Sequence, residues 1–475
     1  MDFDLRETIG IDFGTSFSTV SKYENGKVVL VEDEFHSLYI PTYISCINGE
    51  YAFGTKAFQN ACSNTGNTVY EIKRLIGHSY GDEVISKCLK QMPYDIVDDN
   101  NGGVQIAIKN GESKKQFPIV DLIFLFVHYL KGLAEESLHR RVKNCIVTVP
   151  SYFDTAQRGV IHSAVKATGL NILSILTEPT AAALAYSSVN TKYNGHTKVM
   201  AVYDFGGGTF DVSIIQSSYN TYEVIATSGD TEVGGKDLTR IVADYIEEQL
   251  QAYPAYADYC SSKQGAEIIR GKAEEMKIDL TVNESTVAYF EKGGDSVEVT
   301  LTRKEFEKRI APLVQRTIDV VLECVQFVKM KPRDIESIIL IGGSSFIPCI
   351  KEYLKKDFPD TQILNTIDTR AAVATGALYY ACMRKEGKEF AEVSAKMVVL
   401  KNPGEMFSAS SLVKKHEEVN TAVVDGVTVT LQPPPLPKEY EQTSTSFDTA
   451  VAIIDETLKK YPRKRFCMII DNRMP

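Results

Sequence analysis

One short pattern occurs twice in this chain: an apolar strand runs onto an aspartate, turns through glycine beside a hydroxyl residue, and resumes as an alternating strand. The first copy is Thr8 to Ser16, TIGIDFGTS, continuing through Ser18 to Tyr23 towards a turn at Asn25-Gly26. The second is Val199 to Ile215, VMAVYDFGGGTFDVSII. Glycine inside a strand costs roughly 0.5–1 kcal/mol relative to alanine, so Gly206, Gly207 and Gly208 in a row imply a backbone that must bend where side chains do not fit. Consecutive N–H groups in such a turn suit an anion. The acids beside them, Asp12, Asp204 and Asp211, repel a bare phosphate but favour one when a hard divalent cation with retained waters lies between. A single copy is also readable as a glycine-rich hairpin with solvated acids. Two copies, with Thr15 and Thr209 beside the acids, predict two similar lobes gripping one phosphate tail, and with it magnesium.

Other nucleotide signatures are absent. No helix pattern follows either glycine turn and the G-x-G-x-x-G spacing is missing; the nearest approach to a P-loop, GDTEVGGKD from Gly229, lacks the required glycine, lysine and hydroxyl spacing. With 44% apolar and 24% charged residues over 475 positions, the chain is expected to fold into real cores, with length for about three ordinary domains. A formal charge of −10 argues against nucleic acid as a general partner. Nine cysteines without a C-x-x-C pair read as free thiols rather than a zinc site or disulfide framework. The start, MDFDLRE, leads into a strand without a secretory pattern, and the most apolar run, Ile119 to Leu130, is interrupted by Asp121 and His128 and too short to span a bilayer. A cytoplasmic protein with no membrane partner is expected.

Along the chain, strands are predicted over 27–33 and 39–48 around Pro41, and a helix over Tyr51 to Asn60. In NTVYEIKRLIG, Lys73 and Arg74 are either a solvated basic pair or include a lysine that reaches a terminal phosphate and holds the attacking water. Short strands between Tyr94 and Phe117 precede a helix opened by Pro118 and a buried strand, KNCIVTVP. Asp154 is placed to cap the following helix. Glu178, before an alanine-rich helix, is either a carboxylate favoured by the helix dipole or a further acid for the metal shell. Gly234-Gly235 leads into a helix from Asp237 to Tyr253. In the helix Glu267 to Ile278, Glu274 and Lys277 share one face, the spacing of a surface ion pair. A third glycine turn, IILIGGSSFIP, offers Gly342, Gly343, Ser344 and Ser345 as a flat surface for a purine ring. Strands and helices alternate in both halves, which predicts two α/β lobes by internal duplication.

The order IGIDFGTS, TVYEIKRLIG, VTVPSYF with AQR, LTEPTAAALAY, DFGGGTFDVSI, SGDTEVGGKDL, AEEMKIDLT, IILIGGSSFIP resembles the ATPase domain of the 70-kilodalton heat-shock chaperones of the DnaK type, over about residues 6 to 386. The resemblance implies an actin and hexokinase-like fold, two duplicated lobes around a deep magnesium and ATP cleft, and slow hydrolysis of ATP to ADP and phosphate, with potassium ions as an aid. It implies that Gly14, Thr15, Ser16 and Phe17 form the first phosphate loop and Gly206, Gly207, Gly208 and Thr209 the second. Asp12 and Asp204 would organise hydrated magnesium and the water attack, with Glu178 and Asp211 close by in that role, and Lys73 would be the catalytic lysine. Glu274, Lys277 and Thr281 would contact ribose and adenine beside Gly342, Gly343, Ser344 and Ser345. Pro150 and Arg158 match positions that relay nucleotide state. Implied partners are a J-domain protein and a nucleotide exchange factor. A module of the same fold that holds ATP without hydrolysing it, and a sugar or acetate kinase, are the rival readings.

The chain departs from the family pattern at the base pocket. Phe17 replaces the usual tyrosine, Phe346 the arginine that flanks adenine, and Arg370 stands where an acid is usual. The boundaries expected are a nucleotide-binding domain over 1–388 and a small α+β region over 389–475 that resembles no peptide-binding module, so nucleotide-controlled binding of extended peptides is not expected. That region reads as strands over Ala422 to Leu431, a proline spacer at Pro433 to Pro437, a helix from Phe447 to Tyr461 and a strand from Phe466 to Ile470.

Overall fold

In the computed structural model the described residues are 3–387, except 48, 62, 111–112, 190–196, 219–220, 231, 257–259, 261, 293–294 and 366, together with 391–393, 398–401, 423–424 and 427–428. Two mixed sheets share one design. In the first, the strands Asn171–Thr177, Asn144–Val149 and Thr8–Asp12 run parallel, and Phe17–Glu24 and Lys27–Leu30 return antiparallel. In the second, Gln362–Leu364, Ser337–Ile341 and Lys198–Phe205 run parallel, and Phe210–Ser218 and Thr221–Asp230 return antiparallel. The expected duplication is present strand for strand. Parallel neighbours require a crossover, supplied by helix Thr155–Ala167 in the first lobe and Pro348–Asp357 in the second. Asp154 caps the former, its carboxylate accepting from Gln157 N in a capping box.

Each lobe has its own core. In the first, helix Ile119–Leu138 buries Leu122 to Val127 without a break, which explains its apolar run as interior packing. Among the described residues no helix is long and apolar enough to cross a membrane. In the second, the 25-residue helix Arg303–Phe327 lays Phe306, Ile310, Val314, Ile318 and Val321 on its buried face at helical spacing.

A third core joins the lobes. The alanine-rich helices Glu178–Val189 and Ala372–Lys385 cross between the sheets, against Ile146 and Leu176 of one and Val202, Ile339 and Ile341 of the other. Small side chains are required there: a β-carbon on Gly376 would lie 1.7 Å from the Ala181 carbonyl oxygen, which is backbone and cannot yield cheaply. The sheets are thereby held close, and the carboxyl ends of their central strands face one another across a cleft.

Some local expectations change. Tyr51 to Phe53 is strand, not helix, because Glu50–Phe53 pairs with Ile44–Ile47; only Gly54–Gln59 is helical. In the GDTEVGGKD stretch, Gly229 and Asp230 still belong to a strand, Asp230 pairing with Phe210. Past residue 388, Ala391–Val393 and Val398–Lys401 pair in parallel with Thr221–Glu223 and Thr227–Asp230 on the edge of the second sheet. Within 422–431, Val423–Val424 pairs with Val427–Thr428. The proline spacer, the helix from Phe447 and the strand from Phe466 lie outside the described residues.

Candidate functional site

The first glycine tip follows from strand register. Thr8–Asp12 runs parallel to Asn144–Val149 so that Asp12 faces Thr148, whose hydroxyl donates to Asp12 Oδ1 at 3.3 Å. In the second lobe Asp204 pairs across the hairpin with Asp211 and lies beside Ile341 of the neighbouring parallel strand. Three aspartates thus come to the carboxyl ends of the central strands, where ligands of open α/β sheets collect. Glu178 arrives from behind as the first residue of the joining helix.

Lys73 sits among them, buried, its Nζ 2.5 Å from Glu178 Oε1. It lies on a 3-10 turn, Ile72–Leu75, launched by Glu71 in the left-handed region at φ 55°. Burial works against its charge, yet Glu178 and Asp12 hold its pKa above the ordinary lysine value. The acids move the other way. Burial first, then the charge of Glu178, pushes Asp12 up to about 7, and Asp211 likewise up to about 7, with a Thr209 hydrogen bond of 2.9 Å pulling Asp211 back. Burial, Glu178, Asp211 and Asp12 together push Asp204 well above the carboxylate range. Four carboxylates around one ammonium leave an uncompensated negative cluster with an all-oxygen donor set, the chemistry that hard divalent cations satisfy. Among the described residues no three His, Cys, Asp or Glu side chains converge closely enough to ligate one ion directly. Asp12, Glu178, Asp204 and Asp211 surround Lys73 rather than a common point, so they fit a hydrated ion and not a dry cage. A small cavity lined by Glu178, Asp204, Asp211 and Ser213, among others, has a volume of about 10 Å³, room for about one water.

The glycine tips touch. A β-carbon on Gly207 would lie 2.0 Å from Ser16 Oγ, and one on Gly208 3.1 Å from Thr15 Cγ2. Carbonyl groups of the second loop are used: Gly206 accepts from Gly235 N at 2.9 Å and Ser344 Oγ at 3.0 Å, Gly207 from Lys236 N at 2.9 Å, and Gly208 from Arg74 Nη2 at 3.0 Å. Among the described residues, no acceptor is matched to the N–H groups of Gly207 and Gly208, or to those of Thr15 and Ser16. Those donors, two from each lobe, lie on the two loops that the sequence offers as phosphate loops. In the first loop Gly14 N is taken by Ser18 Oγ at 3.3 Å, and Phe17 is 41% exposed at the rim.

The base-pocket candidates gather on the second lobe. Gly342 holds φ 81°, and a β-carbon there would lie 2.4 Å from the Phe205 carbonyl oxygen and 2.8 Å from Asp204 Oδ1, so the third turn is seated against the second by a glycine requirement. Ser344 and Ser345 are buried, the latter donating to Ile341 O at 2.6 Å. Glu274 and Lys277 are not the surface pair their spacing suggests. Lys277 is buried, and its Nζ donates to Glu274 at 2.6 Å, Thr239 Oγ1 at 2.9 Å and Gly235 O at 3.0 Å. Burial raises and Lys277 more than offsets it, leaving the Glu274 pKa lowered. Thr281, past the helix end, donates to Ile278 O at 2.7 Å and joins none of these contacts. Pro150 lines the small cavity, while Arg158 Nε donates to Phe153 O at 2.9 Å.

Sequence reasoning did not single out Thr148, Tyr152 or Tyr39, and it offered Arg74 only as half of a basic pair with Lys73. Tyr152 is half-buried beside Thr209 and Asp211, and desolvation then Asp211 raises its pKa; it follows the cavity-lining Pro150 in VTVPSYF, the one signal that pointed to it. Arg74, ion-paired with Glu71 at 3.1 Å, crosses from the first lobe to the second loop.

A family model described as Hsp70 protein matches residues 8–401. The chain is similar to the heat shock cognate HSP70 protein of Trypanosoma brucei brucei, 32% identical over 396 residues, covering 82% of this chain and 58% of that protein. It is also similar to a chaperone protein HscA homolog of Haemophilus influenzae (strain PittGG), 34% identical over 376 residues, covering 79% of this chain and 57% of that one. The chain therefore spans a little over half the length of these relatives.

Proposed function

Because this chain belongs to the Hsp70 family and has the family's two-lobed, actin-like ATPase-domain fold, we propose that it binds ATP with hydrated magnesium between the two glycine tips and hydrolyses it to ADP and phosphate. The observation that carries the reading is the placing of unmatched backbone donors from both lobes directly beside four carboxylates and one charged lysine. Magnesium, when bound, would neutralise phosphate oxygens; Asp12, Glu178, Asp204 and Asp211 would hold it through its waters.

The chain's own residues account for the rest. Gly207, Gly208, Thr15 and Ser16 bind phosphate oxygens through N–H groups whose positions the lobes fix in advance, so little reorganisation accompanies the reaction. Lys73, kept charged by Glu178 and Asp12, orients the attacking water and faces the charge that develops on the transferring phosphoryl group. Asp211, fixed by its Thr209 hydrogen bond on the second hairpin, is placed to accept the proton that the water loses. Thr209, hydrogen-bonded to Asp211, orients that carboxylate. Glu274, Lys277, Thr281 and the turn from Gly342 to Ser345 hold ribose and base, the buried Lys277 giving up protein acceptors for hydroxyls. ATP and ADP states of such a site would be read by a J-domain protein and a nucleotide exchange factor in protein folding, the partners that membership of the Hsp70 family implies.

A single-turnover assay with labelled ATP, with and without sugar or acetate acceptors, tests the reading. Magnesium-dependent release of phosphate is expected. A phosphorylated acceptor would make the protein a kinase, and bound ATP that stays intact would make it a nucleotide-holding module.

A further inference from the structure

At the rim of the cleft one guanidinium lies between two aromatic rings, one from each lobe. Tyr39 precedes the Ile40–Pro41 strand, which pairs with Phe17–Glu24 of the first lobe. Its ring centroid is 3.5 Å from Arg370 Cζ, and its hydroxyl donates to Asp368. Phe346 closes the third glycine turn of the second lobe, and its ring centroid is 5.1 Å from the same Cζ. Asp368 holds Arg370 from its own turn, Oδ1 accepting Arg370 N at 3.0 Å with the guanidinium 3.4 Å away. Thr369 between them is bonded twice to Gly342, which donates to Thr369 O at 3.2 Å and accepts from Thr369 Oγ1 at 3.1 Å. The 368–370 turn is thus fastened to the second lobe, while its arginine reaches the first.

Interior packing does not require this arrangement. Phe346 is 39% exposed, and each lobe closes its core without it. Its position is what gives it a role. Arg370 Cδ is the nearest heavy atom, at 3.8 Å, to a β-carbon built on Gly343, so the stack stands directly over the turn read above as the purine surface. Any opening of the cleft must pull Tyr39 away from Phe346, and Arg370 can follow only one of them. A cation between two ring faces and a hydroxyl bound to a carboxylate both break in that movement.

We infer that Tyr39, Arg370 and Phe346 form a clasp across the cleft that retains nucleotide by resisting lobe opening, with Arg370 as the positioning residue; this rests on the reading of the cleft as a nucleotide site. The clasp gates entry and exit alike, since nucleotide passes in either direction only through an opening that breaks it, and its retention role is read from the release rate.

Stopped-flow release of fluorescent mant-ADP, chased with excess ATP, measures retention; amide hydrogen exchange of the nucleotide-free protein over 37–41 and 342–347 measures the clasp itself. For Arg370→Ala, release about tenfold faster is expected, equivalent to ~1.4 kcal/mol, with association faster in the same direction and faster exchange in both segments. Arg370→Lys keeps the charge but loses the planar face, and an intermediate release rate is expected. Tyr39→Phe removes only the bond to Asp368 and is expected to speed release about two- to threefold, which keeps the test open if Arg370→Ala folds poorly. Unchanged exchange in both segments would show that no clasp exists. Faster exchange with unchanged release would leave a contact without a retention role and overturn the proposal. A wild-type protein that binds no mant-ADP overturns the nucleotide reading and the retention role with it, while the exchange measurement still decides whether the lobes are clasped.

Discussion

At the floor of the cleft Asp12, Lys73, Glu178, Asp204 and Asp211 are packed together on strand ends, a helix start and a 3-10 turn, and each is fixed by backbone that continues into a core. At the rim Phe17 is exposed and Tyr39, Phe346 and Arg370 meet through ring faces, and three of these four residues depart from the family pattern. The floor stores electrostatic tension: like charges are held close where water is excluded, so the groups depend on one another and on what binds there. The rim stores contact, which is additive and tolerant. Chemistry placed on the first and residence time on the second can therefore change separately.

The largest expected effect comes from breaking the floor at its one cation. Lys73→Ala is expected to lower the single-turnover hydrolysis rate by about a hundredfold or more, the scale of losing a preorganised charge in the transition state, with nucleotide affinity within about threefold. Rapid-quench measurement with labelled ATP checks it, and an unaltered rate would remove Lys73 from the mechanism.

Two glycines next compare the regions directly. A β-carbon on Gly207 meets Ser16 Oγ at 2.0 Å, while one on Gly343 meets nothing nearer than Arg370 Cδ at 3.8 Å. Gly207→Ala is expected to weaken magnesium–ATP binding about tenfold, as the tips are forced apart and their N–H groups leave register. Gly343→Ala is expected to change it less than about twofold. Equal losses in an isothermal titration would mean that the rim is as constrained as the floor.

How much of this was legible follows the same division. Asp12, Asp204, Asp211 and the glycines beside them were readable because a local turn between two strands encodes its own need for them, and the duplication made the two-lobed fold readable as well. Glu178 was ambiguous in sequence, since a carboxylate at a helix start has a sufficient local cause; only the fold brings it to Lys73. The burial of the Glu274 and Lys277 pair was not legible because helical spacing gives the shared face but not what covers it, and helix Gly235–Leu250 with Thr239 covers it. Arg74 on the Gly208 carbonyl and Tyr39 on Asp368 were invisible for a plain reason: their partners are 134 and 329 positions away.

Asp204→Asn separates tension from function. Its pKa lies above the unfolded value, so above the ordinary carboxylate range the charged form destabilises the fold, and that destabilisation is relieved as pH falls. Removing the charge is expected to raise the stability of the nucleotide-free protein by roughly 1–2 kcal/mol at neutral pH, while the magnesium concentration needed for half-maximal turnover rises about tenfold. Thermal unfolding without nucleotide and a magnesium titration of turnover check the two halves. A less stable variant would show that Asp204 is satisfied in the empty cleft and that the floor carries no tension.

The smallest expected effect is at Phe17, where restoring a tyrosine adds one hydroxyl to a ring that is 41% exposed. A new hydrogen bond contributes about 0.5–1.5 kcal/mol net, and the lower end applies where water competes for both partners. Phe17→Tyr is therefore expected to tighten mant-ADP binding by no more than about threefold and to leave the single-turnover rate unchanged, because the ring lies outside the Lys73 cluster. Equilibrium titration of both proteins decides this. Tightening beyond about tenfold would exceed what an exposed hydroxyl supplies, and would mean that the tyrosine hydroxyl reaches the buried floor; rim and floor would then be one coupled site, and the separation of residence from chemistry would fail at this residue first.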